Sequence, residues 1–117
     1  MSTLDQAMNY IADALAPPQH VNVTPSHGSS YSSWGGCGYW VYGKVVVLHF
    51  GLSGITKSTT KTVYTMPAGL RPSKSIPVMG GGQTTADQST WTVGTNGSVS
   101  VYTTSGYANM TVTYIVQ

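Results

Sequence analysis

Three side chains in this sequence of 117 residues can serve as carboxylate acids or bases, Asp5, Asp13 and Asp87, and there is no glutamate. Hydrolysis of a glycosidic bond usually takes two carboxyl groups that face each other across the scissile oxygen. Asp5 and Asp13 lie in the N-terminal segment and Asp87 far downstream, so one chain does not assemble that pair and no enzymatic activity is expected. Other catalytic sets are equally thin. Gly51, Leu52, Ser53 and Gly54 fall one residue short of a nucleophile elbow and read as a turn. His20, His27 and His49 lack ligand spacing on one face, and Cys37 is the single cysteine, so neither a metal site nor an intrachain disulfide is expected. Gly80, Gly81 and Gly82 precede no helix and carry no lysine of a phosphate loop. No cofactor is implied.

Aromatic and hydroxyl chemistry remains. The chain holds eight Tyr, three Trp, sixteen Thr and fourteen Ser, the material for stacking and hydrogen bonding without charge. Saccharide recognition places ring faces against apolar sugar faces and adds a few hydrogen-bonding groups. Tyr31, Trp34, Tyr39, Tyr102 and Tyr107 fall near expected loops and are the candidate ligand-binding residues. Trp40, Tyr42, Trp91 and Tyr114 fall inside apolar runs and read as core.

The elements that must position these rings follow from periodicity. Leu4, Met8, Ile11 and Leu15 recur at spacings of four, three and four, one stripe of a helix over residues 1–16. Thr3 and Gln6 fit a capping box, and Pro17 with Pro18 stops the helix. So short a helix must bury its stripe, either against its own β domain or against copies of itself. Residues 17–38, rich in Pro, Ser, Gly and Asn, read as a connector. Residues 39–117 alternate short runs of Val, Thr, Tyr and Ile with Gly and Pro, the pattern of an antiparallel β domain. The expected strands are 39–52, 62–66, 74–79, 90–94, 98–103 and 110–116.

Two runs specify more. The first, read as one strand, puts Trp40, Tyr42, Val46, Leu48, Phe50 and Leu52 on one face and Tyr39, Val41, Val45 and Val47 on the other, so both faces need cover. At Thr95, Asn96 and Gly97, a three-residue loop with Gly97 in the left-handed region gathers Trp91, Val93, Val99 and Val101 on one face, and this register is chosen over the two-residue turn. Met110, Val112, Tyr114 and Val116 form a further alternating face.

Composition bounds the partners. Charged residues make up 7% of the chain, against about 25% in an ordinary domain. The scattered Lys44, Lys57, Lys61, Arg71 and Lys74 do not form the basic patch that nucleic acid requires. The aliphatic run at 45–48 is far short of the ~20 residues of a spanning helix, and the first residues lack a secretory pattern, so neither membrane insertion nor export is expected.

Three segments carry a family likeness. Tyr42, Gly43, Lys44, Val45 and Val46 open a long apolar run. Met66, Pro67, Ala68, Gly69, Leu70, Arg71, Pro72 and Ser73 form a central loop. Val93 leads to a closing hairpin at Asn96, Gly97, Ser98 and Val99. Together, over residues 39–117, they resemble the C-terminal head domains of bacteriophage tail fibre and baseplate receptor-binding proteins, with Met66 in place of the usual leucine and Leu70 in place of an aromatic. The resemblance implies a jelly-roll-like β-sandwich head with a short N-terminal α-helix, forming a homotrimer through Leu4, Met8, Ile11 and Leu15. It implies a virion location, attachment to other tail or baseplate proteins, and recognition of a bacterial cell-surface saccharide. Arg71 and Pro72 take a structural role within it. The alternatives are a virion fibre, spike or decoration protein without a ligand and, behind it, a polysaccharide depolymerase.

Overall fold

The computed structural model describes residues 3–8, 19–84 and 86–116. Residues 3–8 are helical and exposed. Nine strands follow: β1 (Gln19–Asn22), β2 (Ser29–Ser30), β3 (Cys37–Tyr42), β4 (Val45–Ser53), β5 (Lys61–Thr65), β6 (Ile76–Gly81), β7 (Gln88–Val93), β8 (Ser98–Thr103) and β9 (Ala108–Ile115). They form a mainly β, antiparallel sheet curled into a half-barrel, in the order β1-β3-β4-β9-β6-β7-β8-β5, with β2 on β4.

The run expected as one strand is a hairpin. Tyr42 pairs with Val45, leaving Gly43 and Lys44 as a two-residue turn with Gly43 at φ 61. Glycine with positive φ at the first central position is what a type II′ hairpin turn requires. The turn shifts the alternation by one residue. Tyr39 and Val41 therefore join Val46, Leu48 and Phe50 inside, while Trp40 and Tyr42 join Val45 and Val47 outside. Tyr42 is 48% exposed and Trp40 half-buried, so neither belongs to the core as the continuous-strand reading had placed them.

Residues 19–38, expected as a connector, supply β1, β2 and the start of β3. All four residues of β1 are exposed, because it is an edge strand paired only with β3, and an exposed edge carries no apolar period. Beyond it the chain crosses the open side of the half-barrel. Val23 N–H donates to the Cys37 carbonyl, and Ser26 N–H donates to the Val63 carbonyl of β5 at 2.7 Å. Residue 26 thus ties together the two ends of the strand order.

The chosen hairpin register is present. Gly94 N–H donates to the Ser98 carbonyl, Gly97 sits at φ 88, and Trp91, Val93, Val99 and Val101 are all fully buried. The Trp91 and Phe50 rings lie 5.7 Å apart across the core. The Trp91 indole N–H donates to Ser89 Oγ, which donates to the Gly81 carbonyl, so the buried polar atoms are satisfied. β6 meets β9 at Gly81 and Asn109, where a Cβ on Gly80 would overlap the Asn109 carbonyl. Met110, Tyr114 and Val116 face the core, with Val112 half-buried beside them.

The strand directions give the body two ends. At one end lie the β3–β4 turn, the loops 66–75 and 94–97, and the point where the chain enters β1, with Gln19 opposite Val41. There Arg71 Nε donates to the Met66 carbonyl at 2.9 Å, and Pro72 bridges to Val116, a structural role for both residues. At the other end lie residues 31–36, 54–60, 82–84, 86–87 and 104–107.

Candidate ligand-binding site

The far end brings together three of the five candidate rings. Tyr31 and Trp34 belong to a single 3-10 turn, Ser32–Trp34, in which Trp34 N–H donates to the Tyr31 carbonyl. Two successive glycines, Gly35 at φ 82 and Gly36 at φ 68, return the chain to β3 in a conformation that other residues rarely adopt. Tyr31 N–H donates to the Gly51 carbonyl and Gly51 N–H to the Gly36 carbonyl, which seats the turn on β4. Gly51 is required at that seat, since a Cβ there would lie 2.8 Å from the Trp34 Cβ.

His49 fixes the same turn from the side. Its Nε2 lies 2.6 Å from the Trp34 carbonyl oxygen, which can only accept, so Nε2 carries the proton. Its Nδ1 lies 2.8 Å from Thr111 Oγ1, and the hydroxyl donates to it in the neutral ring. Sequence spacing gave His49 no ligand role and no partner. The alternation on β4 already puts residue 49 on the outer face beside Val47; its partners, the Trp34 carbonyl and Thr111, come from distant parts of the chain that no sequence spacing joins.

Tyr107 arrives from the β8–β9 loop. Fully buried Thr103 donates from Oγ1 to the Tyr107 carbonyl at 2.9 Å, and Ser105 Oγ accepts from Tyr107 N–H at 3.3 Å. Ile55 N–H and Ser58 N–H hold the same loop through the Gly106 and Thr103 carbonyls.

The three rings meet edge to face. Centroid separations are 4.7 Å for Tyr31 and Trp34, 5.9 Å for Tyr31 and Tyr107, and 6.0 Å for Trp34 and Tyr107, with interplanar angles of 84°, 72° and 70°. Such pairs contribute about 0.5 to 1.5 kcal/mol beyond area burial. All three rings remain partly exposed. Among the described residues, the hydroxyls of Tyr31 and Tyr107 and the Trp34 indole N–H take no partner from the chain, which leaves three polar tips around an apolar cluster.

The other two candidates lie elsewhere. Tyr39 is 4% exposed and faces the core, because the Gly43 turn shifts its alternation. Burial first, and then its neighbour Tyr64, push its phenol pKa up. Close by, Tyr114 is pushed up to about 12, by burial and then by Tyr39, and its hydroxyl donates to the Leu70 carbonyl at 2.6 Å. Tyr102 points outward from β8 at 39% exposure, out of ring contact with the other three. Of the N-terminal seam, Leu4 and Met8 are 71% and 59% exposed, while Ile11 and Leu15 lie outside the described residues.

Among the described residues no group of three His, Cys, Asp or Glu side chains is placed to hold a metal ion. His27 Nε2 accepts from Thr56 N–H, and His20 stacks on Trp40. No helix among the described residues is long and apolar enough to cross a membrane.

No family model matches the chain, and no curated protein does. Among solved structures the fold is similar to that of the receptor binding protein (gp15) of Listeria phage PSA. The TM-score is 0.71 at 16% sequence identity, and the match covers 97% of this chain and 73% of that one. At that identity the likeness establishes a shared fold, that of a phage receptor-binding protein.

Proposed function

We propose that this chain is a host-recognition module of a bacteriophage virion that binds a bacterial surface saccharide through Tyr31, Trp34 and Tyr107. The observation that carries the reading is the fold likeness to a phage receptor binding protein over nearly the whole chain. The position of the ring cluster supports it: the rings cap one end of the half-barrel, and the chain enters from the N-terminal helix at the other. A module attached to other tail or baseplate proteins by its N terminus presents that far end to the cell. In this reading the head acts as a jelly-roll-like sandwich in a homotrimer joined through the stripe Leu4, Met8, Ile11 and Leu15. Three weak sites on one particle multiply into durable attachment by raising effective concentration. The module binds without catalysis, in keeping with a β region whose one carboxylate side chain is Asp87.

Binding of the labelled protein to a panel of bacterial cells and to a glycan array tests this. Selective binding is expected. Trp34→Ala should reduce it at least about tenfold, the loss of roughly 1.4 kcal/mol of ring contact. Tyr107→Phe, which keeps the ring and removes the hydroxyl, should weaken binding with an unchanged melting temperature. Retention on no cell or glycan, together with tight binding to another virion protein, would favour the purely structural virion component instead.

A further inference from the structure

A shelf of neutral amides borders the ring cluster on the outer face of the sheet. Gly51 of β4 pairs with Asn109 of β9, Asn109 with Gly81 of β6, and Gly81 with Gln88 of β7, so four strands contribute to one row. Both glycines leave space above the backbone. Trp34 takes the space over Gly51, and the Asn109 amide lies over Gly81, its Oδ1 and Nδ2 at 3.0 and 3.2 Å from where a Cβ would stand. Tyr107 is two residues before Asn109, separated from it by inward-facing Ala108, which puts ring and amide on the same side of the chain. Asn109 is half-buried and Gln88 exposed, and among the described residues neither amide takes a partner from the chain.

We infer that this row extends the ring site into a site for an uncharged oligosaccharide, with one sugar on the rings and the next across Asn109. The inference rests on the saccharide reading above and gives the bound glycan a direction and a length. The row covers three strand spacings, about 14 Å, which is room for more than one sugar. Its chemistry matches sugar hydroxyls, each of which gives one hydrogen bond and accepts others. An amide offers two N–H donors and an accepting oxygen in one plane, so Asn109 can hold two neighbouring hydroxyls at once. Trp34 supplies the ring face and a donor only, and the amide adds the acceptor beside it. Gln88 repeats the amide at the far end of the row. No charged side chain stands in the row. Asp87, against Gly82, and Lys57, against Gly106, border it with opposite signs, so no net field selects an ionic glycan. Asn109 is thus a specificity-determining residue that prefers a longer neutral chain over a single sugar.

The test is titration of the full chain with methyl glucoside, methyl galactoside, cellobiose, lactose and methyl glucuronide, followed by NMR at the Trp34 indole and Asn109 amide resonances. The neutral single sugars are expected to shift Trp34. A disaccharide should shift both residues and bind at least about tenfold tighter than its single sugar, the gain of two hydrogen bonds. The glucuronide should bind no tighter than the glucoside. Asn109→Ala should lose the disaccharide gain, and its fold should hold because the amide has no partner in the chain. Gly81→Ala provides a second variant, since its added methyl displaces the Asn109 amide and should lower the same gain. If the wild type binds through Trp34 but single sugars and disaccharides bind alike, or Asn109→Ala keeps the gain, the Asn109 assignment fails while the ring site stands. A tighter glucuronide overturns the uncharged class. No shift with any of the five sugars, or binding that survives Trp34→Ala undiminished, overturns the ring site and this extension together.

Discussion

His49 joins two parts of the candidate site, and its removal has a definite cost. In His49→Ala the Trp34 carbonyl loses its donor and Thr111 its acceptor, and a lost partly buried hydrogen bond costs about 1 to 3 kcal/mol. The expected result is a lower urea midpoint, with a shifted and broadened Trp34 indole resonance. An unchanged resonance would mean that the Gly51 seat alone fixes the turn. Tyr114 makes a second prediction at this scale. Its folded pKa, about 12, lies above the unfolded value near 10, so the folded state holds the phenol proton more tightly. The associated stability, roughly 2 to 3 kcal/mol, is fully present below pH 10 and is lost as pH rises through 12. Urea titrations from pH 8 to 12 should show that fall, and Tyr114→Phe should flatten it, most visibly above pH 10.

Among elements, the β7–β8 hairpin and the β3–β4 hairpin separate what could be read in the sequence from what could not. Trp91, Val93, Val99 and Val101 are large, apolar and evenly spaced, and only one loop length puts them on one face, so the register followed from the residues. At Gly43 the residues on both sides of the turn are apolar and β-prone, and a two-residue reversal leaves no polar interval to mark it. Tyr39 passed for a surface ring and Tyr42 for a core ring for that reason alone. β1 escaped notice because an exposed edge strand needs backbone partners rather than an apolar face. Within the candidate site, Tyr31 and Trp34 could be linked by their nearness in sequence. Their contact with Tyr107 depends on loops brought together from distant parts of the chain.

Gly97 supplies the prediction for an element. It sits at φ 88, and a Cβ there would lie 2.6 Å from the Met66 carbonyl and 2.7 Å from Arg71 Nε. Gly69, at φ 93, has nothing within 4 Å. Gly69→Ala carries only the left-handed penalty of about 1 to 2 kcal/mol. Gly97→Ala adds displacement of the Arg71 bond and should lower the denaturation midpoint further. Equal midpoints for the two variants would show that the 66–71 loop yields freely to an added methyl.

For the molecule as a whole, the shortage of charge governs how any ligand is met. With 7% charged residues and a net charge of +2, there is little long-range field to steer or to screen. Under the proposed function, saccharide binding should therefore change by less than about twofold between low and high salt, because stacking and neutral hydrogen bonds are not screened. A steep salt dependence in a binding titration would point to an ionic contact at Lys57 or Lys61 in place of the rings. The antiparallel class of the fold was legible because alternation is written into nearly every strand. Its curl was not, since Ser26 reaches Val63 through backbone atoms that side-chain patterns do not report.

The glycine seat beneath the turn bears on how such a surface could diversify. Gly51 and His49 define where the backbone of residues 31–36 runs, whereas the partly exposed Tyr31 and Trp34 rings project from that backbone and meet Tyr107 from the β8–β9 loop. Exchange of a projecting ring alters what is grasped and leaves its mounting in place; exchange of the mounting displaces all the rings on the turn. In a saturation library selected for attachment to a new host strain, adaptive changes should gather at positions 31, 34 and 107, with 49 and 51 nearly invariant among the survivors.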